Sequence, residues 1–290
     1  IIALVSINRR LTYNNGSGKG VAAIMRYTLR LLTTQQFQRA LRLILAIEQI
    51  RKWNIFNLGD EEFSIGLYVG ESSLKNHYSD LADEIRRNWT DGGAHGQIPL
   101  DKCPWCGDII RARDTATDRF KFSCKNPKCT FGKRNYYPVR LCDDHVYEEP
   151  PTLLFGTVDK FAQLARKVNT NEISADSRRL FGKGIGCTPP DLIIQDELHL
   201  LLGPLGSAVS LFESAIDQLC SYKRQDGIEV RPKIISSTAT TRNTKFQVRA
   251  LYDRDVSIFP KNGTDYDDSF FAFYKREKQD ENSEWSYVSK

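Results

Sequence analysis

Short apolar runs alternate along the chain with longer stretches in which apolar residues recur at helical spacing. The runs predict strands over residues 20–28, 63–70, 152–157, 191–197 and 233–240. The longer stretches predict helices over residues 33–53, 77–89, 158–168, 205–220 and 245–252. Apolar strands separated by helices are typical of a parallel sheet that is covered on both faces. The pattern therefore predicts an α/β fold.

The first long helix has a start signal in the sequence. Thr33 and Gln36 have the Thr-x-x-Gln spacing of a capping box, in which each side chain satisfies a free backbone N–H at a helix N-terminus. Phe37, Leu41 and Ile44 follow at helical spacing. We expect the helix to begin at this box and to run to Trp53.

Composition excludes several protein classes. The chain has 290 residues, 40% of them hydrophobic and 27% charged, as in an ordinary soluble globular protein. No apolar run approaches the roughly 20 residues that span a bilayer, and the first ten residues lack the basic start and cleavage site of a signal peptide. We expect a cytoplasmic protein without a membrane partner. The net charge of +5 permits a nucleic-acid partner without requiring one.

Residues 96–147 differ from the rest of the chain, because they are rich in cysteine, glycine and basic residues. Four of the seven cysteines lie here as two pairs: Cys103, Cys106, Cys124 and Cys129. Four thiolates at such spacing bind one tetrahedral Zn²⁺, and the segment between the pairs has the pattern of a hairpin. The sequence therefore predicts a zinc ribbon. Disulfides or plain buried thiols are the alternatives.

The predicted zinc site has four protein ligands and no open position, so a catalytic zinc is not expected. Basic and aromatic residues surround the cysteines, among them Arg113, Lys121, Phe122 and Tyr136. This mixture suits contact with nucleic acid through phosphate pairing and base stacking. It also suits a small structural domain whose aromatic residues fill its own core, and both interpretations stay open.

Two acidic residues end the predicted strand 191–197. Ligands bind at the carboxyl edge of a parallel sheet, where Asp196 and Glu197 are expected. There an aspartate holds the Mg²⁺ of Mg-ATP and the next glutamate polarises the attacking water. His199 would then sense the γ-phosphate. The alternative is a strand that ends in surface acids before a helix N-terminus, where acids are favoured anyway.

Two further predicted strands also end in polar residues. Segment 237–240 reads Ser-Thr-Ala-Thr, and segment 156–159 reads Gly-Thr-Val-Asp. Because the carboxyl ends of parallel strands meet at one edge, these ends and the acidic pair would line a single crevice.

Residues 16–20, Gly-Ser-Gly-Lys-Gly, imitate a phosphate-binding P-loop. A P-loop needs a glycine five residues before its Gly-Lys pair and a Ser or Thr after the lysine, whereas this chain has Tyr13 and Gly20 at those positions. The segment also leads into a strand rather than a helix, so no helix N-terminus would face the phosphates. We interpret it as a flexible turn.

The motifs together resemble a known family. Asp-Glu-Leu-His at 196–199 and Ser-Thr-Ala-Thr at 237–240 resemble motifs II and III of the superfamily 2 DExH helicases, 26–30 resembles motif Ia, and 156–161 resembles motif Ib. More narrowly, residues 1–273 resemble the DrmA-type helicase-related proteins of the DISARM phage-defence system. The resemblance implies a RecA-like P-loop NTPase domain with an inserted zinc ribbon.

The family's site residues carry over to matching positions. The resemblance implies coupling of hydrolysis to movement through Thr238, Ala239 and Thr240. It implies contacts to the nucleic-acid backbone from five residues: Arg26, Thr28, Arg30, Thr157 and Lys160. The alternative for Arg26 and Arg30 is ordinary surface charge.

The resemblance also implies a domain layout: the first part of a RecA-like lobe (1–95), the zinc ribbon (96–147), the second part of the lobe (148–260) and the start of a linker (261–290). It places the P-loop before Ile1, residues 1–11 in the helix that follows it, and a second lobe after Lys290. Without these parts, we expect the chain alone to hydrolyse ATP poorly or not at all.

The sequence thus predicts the first motor lobe of an ATP-dependent DNA helicase or translocase, with a role in prokaryotic anti-phage defence. Its expected cofactors are ATP, Mg²⁺ and Zn²⁺. Its expected partners are nucleic acid, with DNA favoured over RNA, the second lobe of the same polypeptide, and other proteins of the defence system. The alternative is a non-enzymatic, zinc-dependent nucleic-acid-binding module with a vestigial ATPase motif.

Overall fold

A six-stranded parallel sheet forms the centre of the structure, which is a computed structural model. It describes residues 1–13, 18–27, 30–91, 97–115, 119–133, 135–164, 176–201, 203–224, 226–238, 243–260, 270, 276–277 and 286–287. Contacts divide the chain into two units, Ile1–Arg242 and Asn243–Lys290. The sheet and both candidate sites belong to the first unit.

The central sheet has the order β10-β7-β1-β6-β2-β5, and its pairs are parallel. Its strands are β1 (Ala23–Tyr27), β2 (Ile65–Tyr68), β5 (Val139–Arg140), β6 (Leu153–Thr157), β7 (Leu192–Gln195) and β10 (Lys233–Ser236). In the part of the chain that the structure describes, three two-stranded pairs lie outside this sheet: β3 (Ile110–Asp114) with β4 (Phe120–Cys124), β8 (Tyr222–Lys223) with β9 (Glu229–Val230), and β11 (Arg276–Glu277) with β12 (Ser286–Tyr287).

Helices connect and cover the strands. They are α1 (Ile2–Thr12), α2 (Arg30–Lys52), α3 (Tyr78–Asn88), α4 (Asp143–Glu148), α5 (Val158–Phe161), α6 (Gly203–Cys220) and, in the second unit, α7 (Thr244–Tyr252). The described residues also include two 3-10 helices, Ser177–Phe181 and Leu198–Leu200.

The two faces of the sheet carry separate hydrophobic cores, because side chains alternate along each strand. On one face Ala23 and Phe155 pack with α2 residues such as Leu41. On the other face Ile24 packs with Ile216 of α6. Helices on both faces explain why the strands are apolar throughout, and the predicted α/β fold is confirmed.

All five predicted strands are present, but several elements differ from their predicted bounds. Helix α2 begins at Arg30, so Thr33 lies inside the helix and the predicted capping box is wrong. Strands β7 and β10 end at Gln195 and Ser236, before the polar residues that follow them. Helix α5 ends at Phe161, and residues 165–168 of the predicted helix lie outside the described residues.

The cysteine-rich segment forms the predicted hairpin, β3 with β4. The same segment also contains β5, which pairs with β2 in the central sheet. Strand β5 has only two residues, which are too few to form an apolar run, so the sequence did not predict this sixth strand. The end of segment 96–147 is therefore built into the main sheet.

Strand β10 lies at one end of the sheet. Within the described residues it pairs with β7 alone, and Ile234 and Ile235 are only partly buried. Among the described helices, none has the length and apolarity that a bilayer crossing requires.

Candidate functional site

One row of polar residues crosses the carboxyl edge of the sheet. Tyr27 of β1 is level with Thr157 of β6, and the preceding Arg26 is level with Gln195 of β7. Asp196 follows Gln195 and therefore continues this row. Strands β1 and β7 are neighbours, yet their connections lead to opposite sides, to β2 and to β10. Such a reversal is the place where open α/β sheets bind ligands.

Backbone and side-chain bonds fix Asp196. Its N–H donates to the Arg26 carbonyl at 3.0 Å, which ties it to β1. Its Oδ1 accepts a bond from the Glu197 N–H at 3.0 Å and a short one from the Ser237 hydroxyl. The carboxylate is thereby oriented by two neighbouring strand ends, with its Oδ2 outside these bonds.

Glu197 adopts an unusual backbone conformation. Its φ of 54° and ψ of 46° lie in the left-handed region, which non-glycine residues rarely occupy. This turn ends the line of β7 and starts the 3-10 helix Leu198–Leu200. The Leu198 N–H then donates to the Ser237 carbonyl at 3.0 Å, so the turn is pinned to the chain after β10. A strained residue beside a candidate catalytic carboxylate is typical of functional sites.

His199 connects the acidic pair to the end of β10. Its Nδ1 lies 3.3 Å from Glu197 Oε2 and 3.4 Å from Thr238 Oγ1. The imidazole and the glutamate carboxylate are each about 30% exposed, so both remain accessible from solution. The predicted meeting of segments 196–199 and 237–240 is therefore present at Ser237 and Thr238, and residues 239–240 lie outside the described residues.

The floor of the site is buried and polar. Gln195 is fully buried, its Nε2 donates to the Asp196 carbonyl at 2.8 Å, and its Oε1 has no partner among the described residues. Burial, followed by the nearby Asp196 charge, raises the pKa of Tyr27. Gln195 was missed in the sequence, although a lone amide at the end of an apolar strand could have marked it.

Thr157 lies at the same edge, at the end of β6. Its side chain is buried, and its Oγ1 has no hydrogen-bond partner among the described residues. A buried hydroxyl without a partner costs roughly 1–3 kcal/mol unless a ligand or water satisfies it.

Arg26 lies inside the protein. The sequence had suggested either a phosphate contact or ordinary surface charge, and both interpretations place Arg26 at the surface. Its guanidinium is fully buried and forms two bonds with Glu213 of α6, at 2.5 and 3.2 Å. The physical reason is register, since Arg26 points from β1 to the face that α6 covers. Glu213 was missed, although it is an acid on the helix face of Val209, Ile216 and Cys220.

Lys160 is buried as well. Its Nζ lies 2.7 Å from Asp143 Oδ2 and 3.0 Å from Asn76 Oδ1, and 5.0 Å from the centre of the Tyr68 ring. In this conformation the ammonium group is saturated by protein partners and does not face solvent.

Four of the predicted residues have undescribed side chains. Thr28, Ala239 and Thr240 lie outside the described residues, and Arg30 is described as the first residue of α2 without its side chain.

The four cysteines of the predicted zinc ribbon lie together. All of their sulfur atoms are within 4.8 Å of one another, with Cys106 3.4 Å from Cys124 and Cys103 3.9 Å from Cys129. Sulfurs bound tetrahedrally to zinc at about 2.3 Å lie about 3.8 Å apart. The cluster therefore has the composition and size of a closed metal site, and none of the four forms a disulfide.

Two of these four thiols have a raised pKa. Burial raises the pKa of Cys129 to about 11 and also raises that of Cys124. Both thiols are therefore protonated near neutral pH unless a metal displaces the protons.

Aromatic and basic residues around the cluster differ in their burial. Phe122, Phe131 and Tyr137 are buried and belong to the same core as β1 and α2. The basic residues of this segment point outward, with Arg113 and Lys121 exposed. The cores of the hairpin and the sheet are thus continuous.

Lys19 of the P-loop-like segment lies far from the acidic edge. It precedes β1 and therefore lies at the amino edge of the sheet, opposite Asp196. Its Nζ pairs with Glu61 at 2.9 Å on the surface, and its carbonyl accepts a bond from the buried Arg9. The interpretation of this segment as something other than a P-loop agrees with this position.

Comparison with models of known protein families gives no match. The chain is 35% identical, over 291 residues, to the DISARM protein DrmA of Bacillus paralicheniformis (strain ATCC 9945a / NCIMB 11709 / CD-2). The alignment covers 87% of this chain and 26% of that protein. The chain is thus similar to DrmA and spans about a quarter of the length of that protein.

Proposed function

We propose that this chain forms most of the first motor lobe of an ATP-driven DNA helicase or translocase that acts in anti-phage defence. The observation that carries the proposal is the meeting of Asp196, Glu197 and His199 with Ser237 and Thr238 at the carboxyl edge of a parallel sheet. The resemblance of these segments to motifs II and III of superfamily 2 supports the same assignment, including the RecA-like character of the sheet.

The donor set around Asp196 fits magnesium. Mg²⁺ prefers carboxylate and hydroxyl oxygens and keeps several of its waters. Asp196 supplies a carboxylate whose Oδ1 is already fixed by Ser237, and Asp196 is partly exposed. When bound, Mg²⁺ neutralises charge on the β- and γ-phosphates of ATP. In this proposal Asp196 holds the ion.

Glu197 and His199 have distinct parts in the proposed mechanism. Glu197 accepts a proton from the attacking water, since its carboxylate is exposed beside Asp196. His199 touches both Glu197 and Thr238, so a change at the carboxylate alters the contact with the segment after β10. Thr238, with Ala239 and Thr240, then transmits the state of the nucleotide to the nucleic-acid-binding surface.

The structure suggests a revised set of nucleic-acid contacts. Arg26 and Lys160 are buried in ion pairs, and we assign them to the framework of the lobe. The proposed backbone contacts are Thr28, Arg30 and Thr157, of which Thr157 offers an unpartnered hydroxyl at the same edge.

A motor of this class also needs a P-loop lysine and an arginine finger. The relative DrmA is about four times as long as the aligned segment, which leaves room for both in a longer polypeptide. The outer side of β10 supports this idea, because within the described residues it pairs on one side only and its isoleucines are partly exposed. A strand that precedes a P-loop can pair there, next to the acidic site.

The proposed function is tested by Glu197→Gln in the full-length protein. We expect DNA-stimulated ATP hydrolysis to fall at least a hundredfold, because the water loses its base, while ATP binding changes less than threefold. Glu71→Gln is the matched control, since Glu71 is an exposed acid that follows β2 at the same edge. It should hydrolyse ATP at the unmodified rate.

Equal hydrolysis by the unmodified protein and the Glu197→Gln variant would overturn the proposal. If neither protein hydrolysed ATP and both bound DNA in a zinc-dependent manner, the result would favour a non-enzymatic nucleic-acid-binding module.

A further inference from the structure

A cavity of about 970 Å³ lies at the amino edge of the sheet, opposite the acidic site. Its lining includes residues at or just before the starts of four neighbouring strands: Gly20, Ser64, Val139 and Thr152. The cysteine-rich segment forms another wall with Phe120, Lys121 and Tyr136. The volume lies at the upper end of the range for small-molecule sites, about 300–1,000 Å³.

Arg10 is the most informative residue of this cavity. Its side chain lines the space although it is only 7% exposed. Its Nη2 makes one long bond, 3.4 Å to the Glu62 carbonyl, and no carboxylate among the described residues is within ion-pair distance. The guanidinium carbon of Arg10 lies 5.2 Å from the centre of the Phe63 ring. A buried guanidinium with so few partners is costly unless an anion binds it.

The surrounding charge favours an anion. Eight Lys and Arg residues line the cavity and six Asp and Glu residues do so. Most carboxylates are already paired, as Glu62 and Glu149 are with Arg140 and Glu48 is with Arg51. Arg10, Lys121 and Arg179 have no ion pair among the described residues, whereas Asp60 is the one lining acid without such a pair there, so the unpaired charge of the lining is positive.

The remaining lining suits a nucleoside. Tyr136 and Phe120 are partly buried aromatic residues of the wall, and Lys121 lies 5.2 Å above the Tyr136 ring. Aromatic faces stack on bases, and a guanidinium binds phosphate with two parallel bonds. The carboxylate of Asp60, which also lines the cavity, can accept bonds from ribose hydroxyls.

We propose that this cavity binds a nucleoside phosphate, with the phosphate on Arg10 and the base against the Tyr136 wall. This site is separate from the proposed ATP site. The two sites lie at opposite edges of the sheet, with the length of the strands between them. The same chemistry is offered by a free nucleotide and by the 5′-phosphorylated end of a single strand.

Binding to the full chain measures this directly, with four probes: adenosine 5′-monophosphate, adenosine, and oligothymidylate with and without a 5′-phosphate. We expect each phosphorylated probe that binds to have an affinity at least tenfold higher than that of the matching probe without phosphate. Binding of the mononucleotide identifies a free nucleotide as the ligand, and binding of the phosphorylated oligonucleotide alone identifies a strand end.

Variants place the binding in this cavity. Arg10→Gln should weaken the phosphorylated probe at least tenfold and Lys121→Gln about threefold. Arg87→Gln is the control for loss of one positive charge, since Arg87 is 74% exposed on α3 and does not line the cavity. Asp196→Asn controls for the acidic site and should leave this binding unchanged, whatever its effect on ATP hydrolysis.

Several results would overturn the proposal: no binding of either phosphorylated probe, equal binding with and without phosphate, or unchanged binding in Arg10→Gln. If Arg10→Gln does not fold, the variants Lys121→Gln and Lys121→Glu test the site instead, because Lys121 is exposed. Unchanged binding of the phosphorylated probes in both variants would reject the site.

Discussion

Arg26 and Glu213 form an ion pair inside the protein, with Nη1 2.5 Å from Oε1, Nη2 3.2 Å from Oε2, and side chains that are 0% and 3% exposed. The pair ties β1 to α6 across one face of the sheet. Removal of Glu213 leaves the Arg26 charge buried without this carboxylate, which costs about 3–5 kcal/mol. We therefore expect Glu213→Ala to lower the free energy of unfolding by that amount in urea denaturation.

A double variant separates this role from a contact with nucleic acid. Arg26→Met combined with Glu213→Leu removes both charges and keeps most of the volume, so its stability should recover to within about 2 kcal/mol of the unmodified chain. Retained DNA binding in the double variant supports a framework role. Normal stability of Glu213→Ala alone would contradict the buried pair.

The apolar runs of the sequence were enough to locate β1, β2, β6, β7 and β10, because a strand buried on both faces must be apolar throughout. They could not give the order of the strands. Strand β1 lies between β6 and β7, which follow it by more than 120 residues, and that order depends on how the connections cross the sheet.

The position of the candidate site could also be predicted from the apolar runs, because polar residues stand where two of these runs end. Polar residues at the ends of β7 and β10 marked Asp196 and Ser237 before their contact was seen. The sequence could not tell which face of β1 carries Arg26, because a shift of one residue in register reverses every side chain. Its burial therefore appeared only in the structure.

Zinc should account for much of the stability of the cysteine-rich segment. We expect about one Zn²⁺ per chain, and we expect Cys106→Ser to lose the metal and to expose Phe122 and Phe131, because structural zinc contributes folding free energy directly. Elemental analysis and limited proteolysis of residues 97–133 measure both effects.

Cys187→Ser is the matched control for the metal site, since Cys187 is a free, partly buried thiol outside the cluster. It should keep both the zinc and the protease resistance. Protein purified without chelators that contained no metal would contradict the prediction.

Lys19 should be dispensable for ATP hydrolysis, despite its place in a glycine-rich segment. Its ion pair with Glu61 is exposed, so Lys19→Ala should change the free energy of unfolding by less than about 1 kcal/mol. In the full-length protein the rate of ATP hydrolysis should stay within twofold. A loss of tenfold or more in steady-state rate would show that this lysine serves as the P-loop lysine.

The left-handed backbone of Glu197 gives a test that separates strain from chemistry. Glycine adopts a φ of 54° without the steric cost that other residues incur, about 1 kcal/mol or more. Glu197→Gly and Glu197→Gln both remove the carboxylate, so both should lack ATP hydrolysis in the full-length protein. Glu197→Gly should nevertheless unfold at a higher urea concentration than Glu197→Gln, by up to about 1 kcal/mol in free energy. A glycine variant less stable than the glutamine variant would mean that the turn after β7 is not held in this conformation.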